Sequence, residues 1–179
     1  RANAADAGAD PTMALAAPDG VAKPALELYD PRIEELSIDD KRDLALGLEA
    51  AVMAGDARMA GVEGADYGDS VVVSAIATTA GIRSAQRESG AGLSVYAMAT
   101  EHGETQTGFG FAVGRAAHEL SVERTAAEAV LRTVRLLGST KPRSGRVDVV
   151  LDPWVTAQFL GVIAEMLSGE EVRKGRTPF

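Results

Sequence analysis

The run "TQTGFGFAVG" from Thr105 to Gly114 alternates large and absent side chains with a period of two. That period belongs to a β-strand, where successive side chains point to opposite faces. Thr107, Phe109 and Phe111 then share one face, and Gly108 and Gly110 occupy the other. A strand face without side chains marks the close approach of another backbone. That backbone is a neighbouring helix or strand, or a bound chain; the residues leave both readings open.

The segments around this strand fix its surroundings. Pro11, Pro18, Pro24 and Pro31 break any helix in the first part of the chain. Residues 1–8 read as the end of a helix and residues 9–32 as an extended connector. Ser37 offers an N-cap, Asp39 and Asp40 suit the first turn, and Leu44, Leu48, Ala51 and Val52 follow at helical spacing, predicting a helix near residues 38–54 with a stop at Gly55. The β-branched "SVVVSAIAT", then "IRSAQRES" and "LSVYAMAT", read as strands with turns at Thr79–Gly81 and at "EHGE"; the last two segments are separate strands or one bent strand broken at Gly90 and Gly92. Ser121 caps a second helix with Val122, Ala126, Val130, Val134 and Leu137 on one stripe, ended by Gly138. After a linker, "RVDVVLD" reads as a short buried strand, and Pro153 opens a last helix with the stripe Val155, Phe159, Val162, Ile163, Met166 and Leu167.

The expected fold class is α/β of the α+β type. An antiparallel β-meander packs with helices and is followed by the first strand and helix of a further domain. The expected division is residues 1–32, a central domain at 33–145, and a third part at 146–179. Its unfinished look suggests a piece of a longer protein, so the last helix is expected to be poorly packed here.

Composition removes several classes of function. There is no cysteine, so disulfides and thiolate chemistry are excluded. A net charge of −8 with scattered basic residues argues against direct nucleic-acid binding. Arg143, Arg146, Arg173, Lys174 and Arg176 read as a solvated face. No apolar run is long enough to span a bilayer and no signal-peptide pattern opens the chain, so a cytoplasmic location is expected.

Catalytic motifs are missing. His118-Glu119 is the only His-Glu dipeptide, and Val122 stands one turn on, where a zinc-binding helix needs a second histidine. His102 sits in a polar turn and reads as an exposed hairpin tip, with a weak metal site alongside Glu101 and Glu104 as the alternative. Of Asp39, Asp40 and Asp43, the first two are explained by helix-end electrostatics, and Asp66 and Asp69 around Gly68 have loop composition without calcium-loop spacing. No serine sits in a nucleophile elbow, and "GAGLS" is no phosphate loop.

Four stretches together resemble the TldD/PmbA family, also called modulators of DNA gyrase. They are "LYDPRIEELSIDDKRDLAL" (28–46), "ATTAGI" (77–82), "GETQTGFGFAVGRAAHEL" (103–120) and "VDVVLDPWVTAQFLGVIAEMLSGEEVRKGRTPF" (147–179). The resemblance implies the end of the family's N-terminal domain, its central domain and the start of its C-terminal domain. In TldD-type members the last helix carries an H-E-x-x-x-H zinc motif. Its positions fall here on Gly161, Val162 and Met166, none of them a zinc ligand or general base. The closer likeness is to the TldE/PmbA-type subunit, which lacks the motif.

The resemblance therefore implies a non-catalytic subunit that shapes a cavity and helps hold unfolded peptide. A homologous TldD-type partner would supply the zinc, and no cofactor is expected in this chain. A homo-oligomeric scaffold or regulator without a proteolytic role is the alternative. Thr105, Thr107, Gly108, Phe109, Gly110 and Phe111 are the candidate peptide-binding residues, because a strand edge pairs with an extended peptide through its main chain.

Overall fold

The computed structural model describes residues 15–22 and 24–178. The helix end expected at residues 1–8 lies outside them. The chain divides into two units, one spanning Asp19–Lys141 and the other containing Pro142–Phe179.

In the larger unit, helix α1 spans Ile38–Gly55. It begins with a reciprocal capping box: Ser37 Oγ accepts from the Asp40 N–H at 3.1 Å, and the Asp40 carboxylate accepts from the Ser37 N–H at 3.0 Å. Leu48 and Val52 face inward and are fully buried, each contributing about 1.5–3 kcal/mol through removal of apolar surface from water.

Three antiparallel strands follow, in the order β1-β2-β3: β1 Met59–Ala77, β2 Arg83–Glu101 and β3 Glu104–Gly114. The expected β1–β2 turn closes with the Thr78 N–H donating to the Ile82 carbonyl at 2.9 Å. His102 (φ 50°) and Gly103 (φ 81°) form the β2–β3 turn, a two-residue hairpin with both residues left-handed. One reading of the sequence is corrected here and one alternative is settled. The first strand starts at Met59, so Asp66 and Asp69 lie within it. The second and third segments form one strand running through Gly90 and Gly92. Loop-like composition misled because alternation carries this part of β1: Ala65 and Tyr67 point to the helices, while Asp66 points to the other face. Asp69 is held by Lys41 of α1 at 2.6 Å and by the Tyr67 hydroxyl at 3.1 Å.

One face of the sheet carries the core. Leu93, Val95, Ala97 and Ala99 of β2 pack with Met59 under α1 and helix α2, Val122–Val134, whose N-cap is Ser121 as expected. The buried line of α2 is Thr125, Ala126, Ala129 and Thr133, with the predicted Val122, Val130, Val134 and Leu137 only partly buried beside it. Small residues win the central positions because α2 lies directly on the glycine face of β3. A Cβ at Gly110 would overlap the Thr125 carbonyl oxygen and sit 3.1 Å from Ala129 Cβ; one at Gly108 would sit 2.7 Å from the Thr133 nitrogen. The two buried threonine hydroxyls donate back to Ser121 and Ala129 carbonyls, each at 2.7 Å.

The connector before α1 is pinned to the sheet. The Ser89 N–H donates to the Leu28 carbonyl at 3.0 Å, and Ser89 Oγ accepts from the Asp30 N–H at 3.0 Å. Asp30 caps a 3-10 turn at Pro31–Glu34, accepting from the Arg32 N–H at 3.0 Å and its guanidinium at 2.7 Å. The Arg32 side chain, then its N–H, hold the Asp30 carboxyl down at about 2. Ile33 of this turn is buried against Ala91 and Ala116.

In the smaller unit, Asp152 caps helix α3, Pro153–Met166, and Ser168 caps the short helix α4, Gly169–Arg173. The buried strand expected at residues 146–152 is not formed, and Val150 is 96% exposed. A strand exists through pairing, and the described residues of this unit contain no other strand. No residue of α3 is buried, and Phe159 remains 58% exposed, in line with the poor packing expected for this helix.

Three outcomes are expected. Gly110→Ala lowers unfolding free energy by roughly 1–3 kcal/mol in urea titration, because the added methyl overpacks the β3–α2 contact. Gly68→Ala, where a Cβ meets nothing within 4 Å, changes it by less than about 0.5 kcal/mol. The depressed Asp30 pKa gives stability that is present above the ordinary value of 3.8 and lost as pH falls to about 2. Asp30→Asn is therefore less stable than the parent at neutral pH, and the gap between their thermal midpoints closes as pH drops to 2.

Candidate functional site

Among the described residues of this unit, the helices pack on one face of the sheet and none covers the other. Register places Thr105, Thr107, Phe109 and Phe111 of β3 on this face, with Tyr96 directly opposite Phe109 and Ser94 opposite Phe111. The rings form a row: Tyr96 and Phe109 lie 6.2 Å apart and tilted, and Phe109 and Phe111 lie 6.2 Å apart and stacked. Beside the row, Gly68 and Gly92 are cross-strand partners. Their missing side chains leave a trough of about 340 Å³ walled by Asp66, Ser94, Phe111 and Val113.

Gly108 and Gly110 are not part of that surface. They lie beneath α2, so the close backbone their pattern announced is the protein's own helix. Their main-chain groups also point inward to β2, because β3 residues alternate between facing β2 and facing the outer edge. Phe109 faces outward, and its carbonyl accepts from Arg132 Nη1 at 3.1 Å. The same guanidinium sits 5.0 Å from the Phe109 ring centre and 5.9 Å from that of Phe111, held by Glu128 at 3.1 Å. Arg132 thus covers the middle of the β3 edge, which blunts it against unselective pairing. Tyr96 and Arg132 were not singled out in the sequence. Tyr96 needs the β2–β3 register to be placed, and nothing local marks Arg132.

The metal question has a clear geometry. Gly161, Val162 and Met166 lie on α3, with Gly161 and Val162 exposed. None offers an imidazole, carboxylate or thiolate, so these positions do not fit a zinc ion. Among the described residues, the one group with converging ligand atoms is Asp30, His118 and Glu119, within 4.8 Å of one another. Both carboxylates are already engaged: Asp30 by Arg32, and Glu119 by the Arg115 N–H and guanidinium at 2.8 and 2.9 Å. His118 Nε2 stands 3.7 Å from Asp30. A cation there would displace two charge-assisted pairs, so the cluster reads as the clasp of the connector. His102 is at the exposed hairpin tip, and Glu104 beside it accepts from Gln106 and the Gly138 N–H. A larger groove of about 580 Å³ runs between the end of α1 and α2, lined mainly by apolar residues such as Ala51, Val130 and Val134. No helix among the described residues is long and apolar enough to cross a membrane.

Comparison with known proteins follows the same outline. The model of the PmbA/TldA metallopeptidase central domain matches residues 31–137. No curated protein sequence matches. A Thermotoga maritima protein described as a modulator of a DNA gyrase is 27% identical, with a TM-score of 0.63 over 68% of this chain and 28% of its own. A Bacteroides thetaiotaomicron protein with a similar description is 23% identical, with a TM-score of 0.83 over 97% of this chain and 40% of its own. TldE from Thermococcus kodakarensis is 17% identical, with a TM-score of 0.71 over 98% of this chain and 39% of its own. These last two likenesses speak for the fold alone, and the chain spans well under half the length of all three. With the family model matching more than half of its residues, the chain belongs to the PmbA/TldD metallopeptidase family.

Proposed function

We propose that this chain is a non-catalytic subunit of a PmbA/TldD-type metallopeptidase assembly. It shapes the cavity and holds unfolded peptide, while a homologous partner carries the zinc and cleaves. The observation that carries the reading is the row Tyr96–Phe109–Phe111 on a sheet face left open by the helices of its own unit. The lack of any zinc ligand at Gly161, Val162 and Met166 supports the non-catalytic part.

Holding an unfolded segment without reading its sequence needs contacts that most peptides can make. Ring faces accept apolar side chains of varied shape, and the glycine floor beside them admits a main chain closely. Main-chain pairing along the β3 edge is available on either side of Phe109 and requires Arg132 to leave the Phe109 carbonyl. The face therefore provides most of the affinity and the edge sets strand direction.

Binding of a fluorescent unfolded apolar peptide to the full-length protein tests this. Replacing both Phe109 and Phe111 with Ala weakens binding about tenfold, equivalent to about 1.4 kcal/mol, with the helical signal retained. In the same preparation, zinc follows the co-purifying homologue. Unchanged peptide affinity, or one tightly bound zinc per copy of this chain alone, contradicts the proposal.

A further inference from the structure

The aromatic row on the open face ends, on its β1 side, against a carboxylate. Asp66 is the cross-strand partner of Ser94, and Gly64, its neighbour on the same face, is the partner of Tyr96. Asp66 Oδ2 lies 3.6 Å from the point where a Cβ of Gly64 would stand, so the carboxylate leans over Gly64 toward the Tyr96 end of the row. With no side chain at position 64, nothing of that residue comes between the carboxylate and the ring. Among the described residues no hydrogen bond or ion pair engages Asp66. Asp69, on the helix face of the same strand, is by contrast held by Lys41.

The charges around the row do not cancel. The paired positions of this face, within Gly64 to Ile76, Ser84 to Thr100 and Thr105 to Val113, carry Asp66 and Glu88 and no Lys or Arg. Glu88 stands roughly 20 Å along β2 from Ser94, too far to act at the row. The guanidinium at the β3 end belongs to Arg132, whose charge is matched by Glu128 at 3.1 Å. The row is left with an anion at its β1 end, and Tyr96 beside that anion is 57% exposed. A ring face and a carboxylate together suit a cation on an apolar stem: the stem and charge lie against the ring, and the carboxylate accepts from the charged end.

We infer that Asp66 and Tyr96 form a subsite for a basic side chain, lysine or arginine, of the peptide held on this face. The subsite rests on the peptide-holding reading and gives it a chemical preference that the rings alone lack. The stem of the basic residue lies along Tyr96, and its ammonium or guanidinium reaches Asp66, with the Ser94 hydroxyl beside it as a further acceptor. An acidic side chain in the same place is repelled by Asp66, so the site discriminates in both directions. Both contacts stay in reach of water, which limits the gain to roughly three- to tenfold. The preference is a bias laid over a face that takes varied peptides.

Titration of the full-length protein with three fluorescent unfolded peptides, identical except for a central Lys, Met or Glu, tests this. The Lys form is expected to bind about three- to tenfold tighter than the Met form, and the Glu form weaker than both. In Asp66→Asn the three converge to within about twofold, and the fold holds because an exposed side chain without partners is replaced. Glu88→Gln removes the same unit of charge and keeps the preference, which separates a local contact from the general attraction of a chain of net charge −8. Should Asp66→Asn unfold, the side-chain carboxyl carbon of Asp66 in the parent protein gives the answer, shifting with the Lys form and not with the Met form. Equal binding of the Lys and Met forms overturns the subsite, as does a preference that survives Asp66→Asn or disappears in Glu88→Gln. Equal binding that still depends on Phe109 and Phe111 leaves the peptide-holding reading standing without the subsite. Binding of all three forms that ignores Phe109 and Phe111 removes both.

Discussion

The contact between the glycine face of β3 and the small-residue face of α2 decides how the rest of the central unit is arranged. With no side chains at Gly108 and Gly110, the helix backbone descends onto the strand, and only Thr125, Ala129 and Thr133 fit between them. Once α2 is seated there, α1 closes against it at Gly55, where a Cβ would meet Val130 at 2.7 Å. Leu48, Val52, Leu93 and Val95 are then enclosed on one side of the sheet. The β-strand period does the rest: every ring excluded from that face is delivered to the other. The aromatic row is thus a consequence of the packing constraint, since Phe109 and Phe111 alternate with the two glycines.

Much of this was legible in the residues. Ser37, Ser121 and Pro153 marked helix starts because capping and first-turn proline are local effects. His102-Gly103 and Thr79–Gly81 marked turns for the same reason. What failed needed a partner. Residues 59–69 have loop composition, and pairing with β2 makes them strand. Residues 147–151 have strand composition, and lack of a partner in their unit leaves them extended and exposed. The glycine alternation announced a close approach without saying of what. Settling that required the three-dimensional neighbour, α2. Tyr96 and Arg132 were invisible because one joins the site by register and the other by the reach of a long side chain.

The two edges of the sheet show how the same main-chain chemistry is treated differently. The Phe109 carbonyl is occupied by a guanidinium held by Glu128 and lying against two rings. The connector, meanwhile, occupies the β2 edge beyond the end of β3, clasped through Ser89, Asp30 and Arg115. It bonds β2 at Ser89, just beyond the last residue that β3 pairs.

Chemical-shift mapping of the full-length protein during titration with an unfolded apolar peptide addresses the central claim most directly. Two surfaces compete for an apolar ligand: the row on the open face and the larger groove between α1 and α2. The account predicts that perturbations centre on Tyr96, Phe109 and Phe111, with the Arg132 guanidinium shifting as it leaves the Phe109 carbonyl. Perturbations centred on Ala51, Val130 and Val134, with the three rings unchanged, would contradict it.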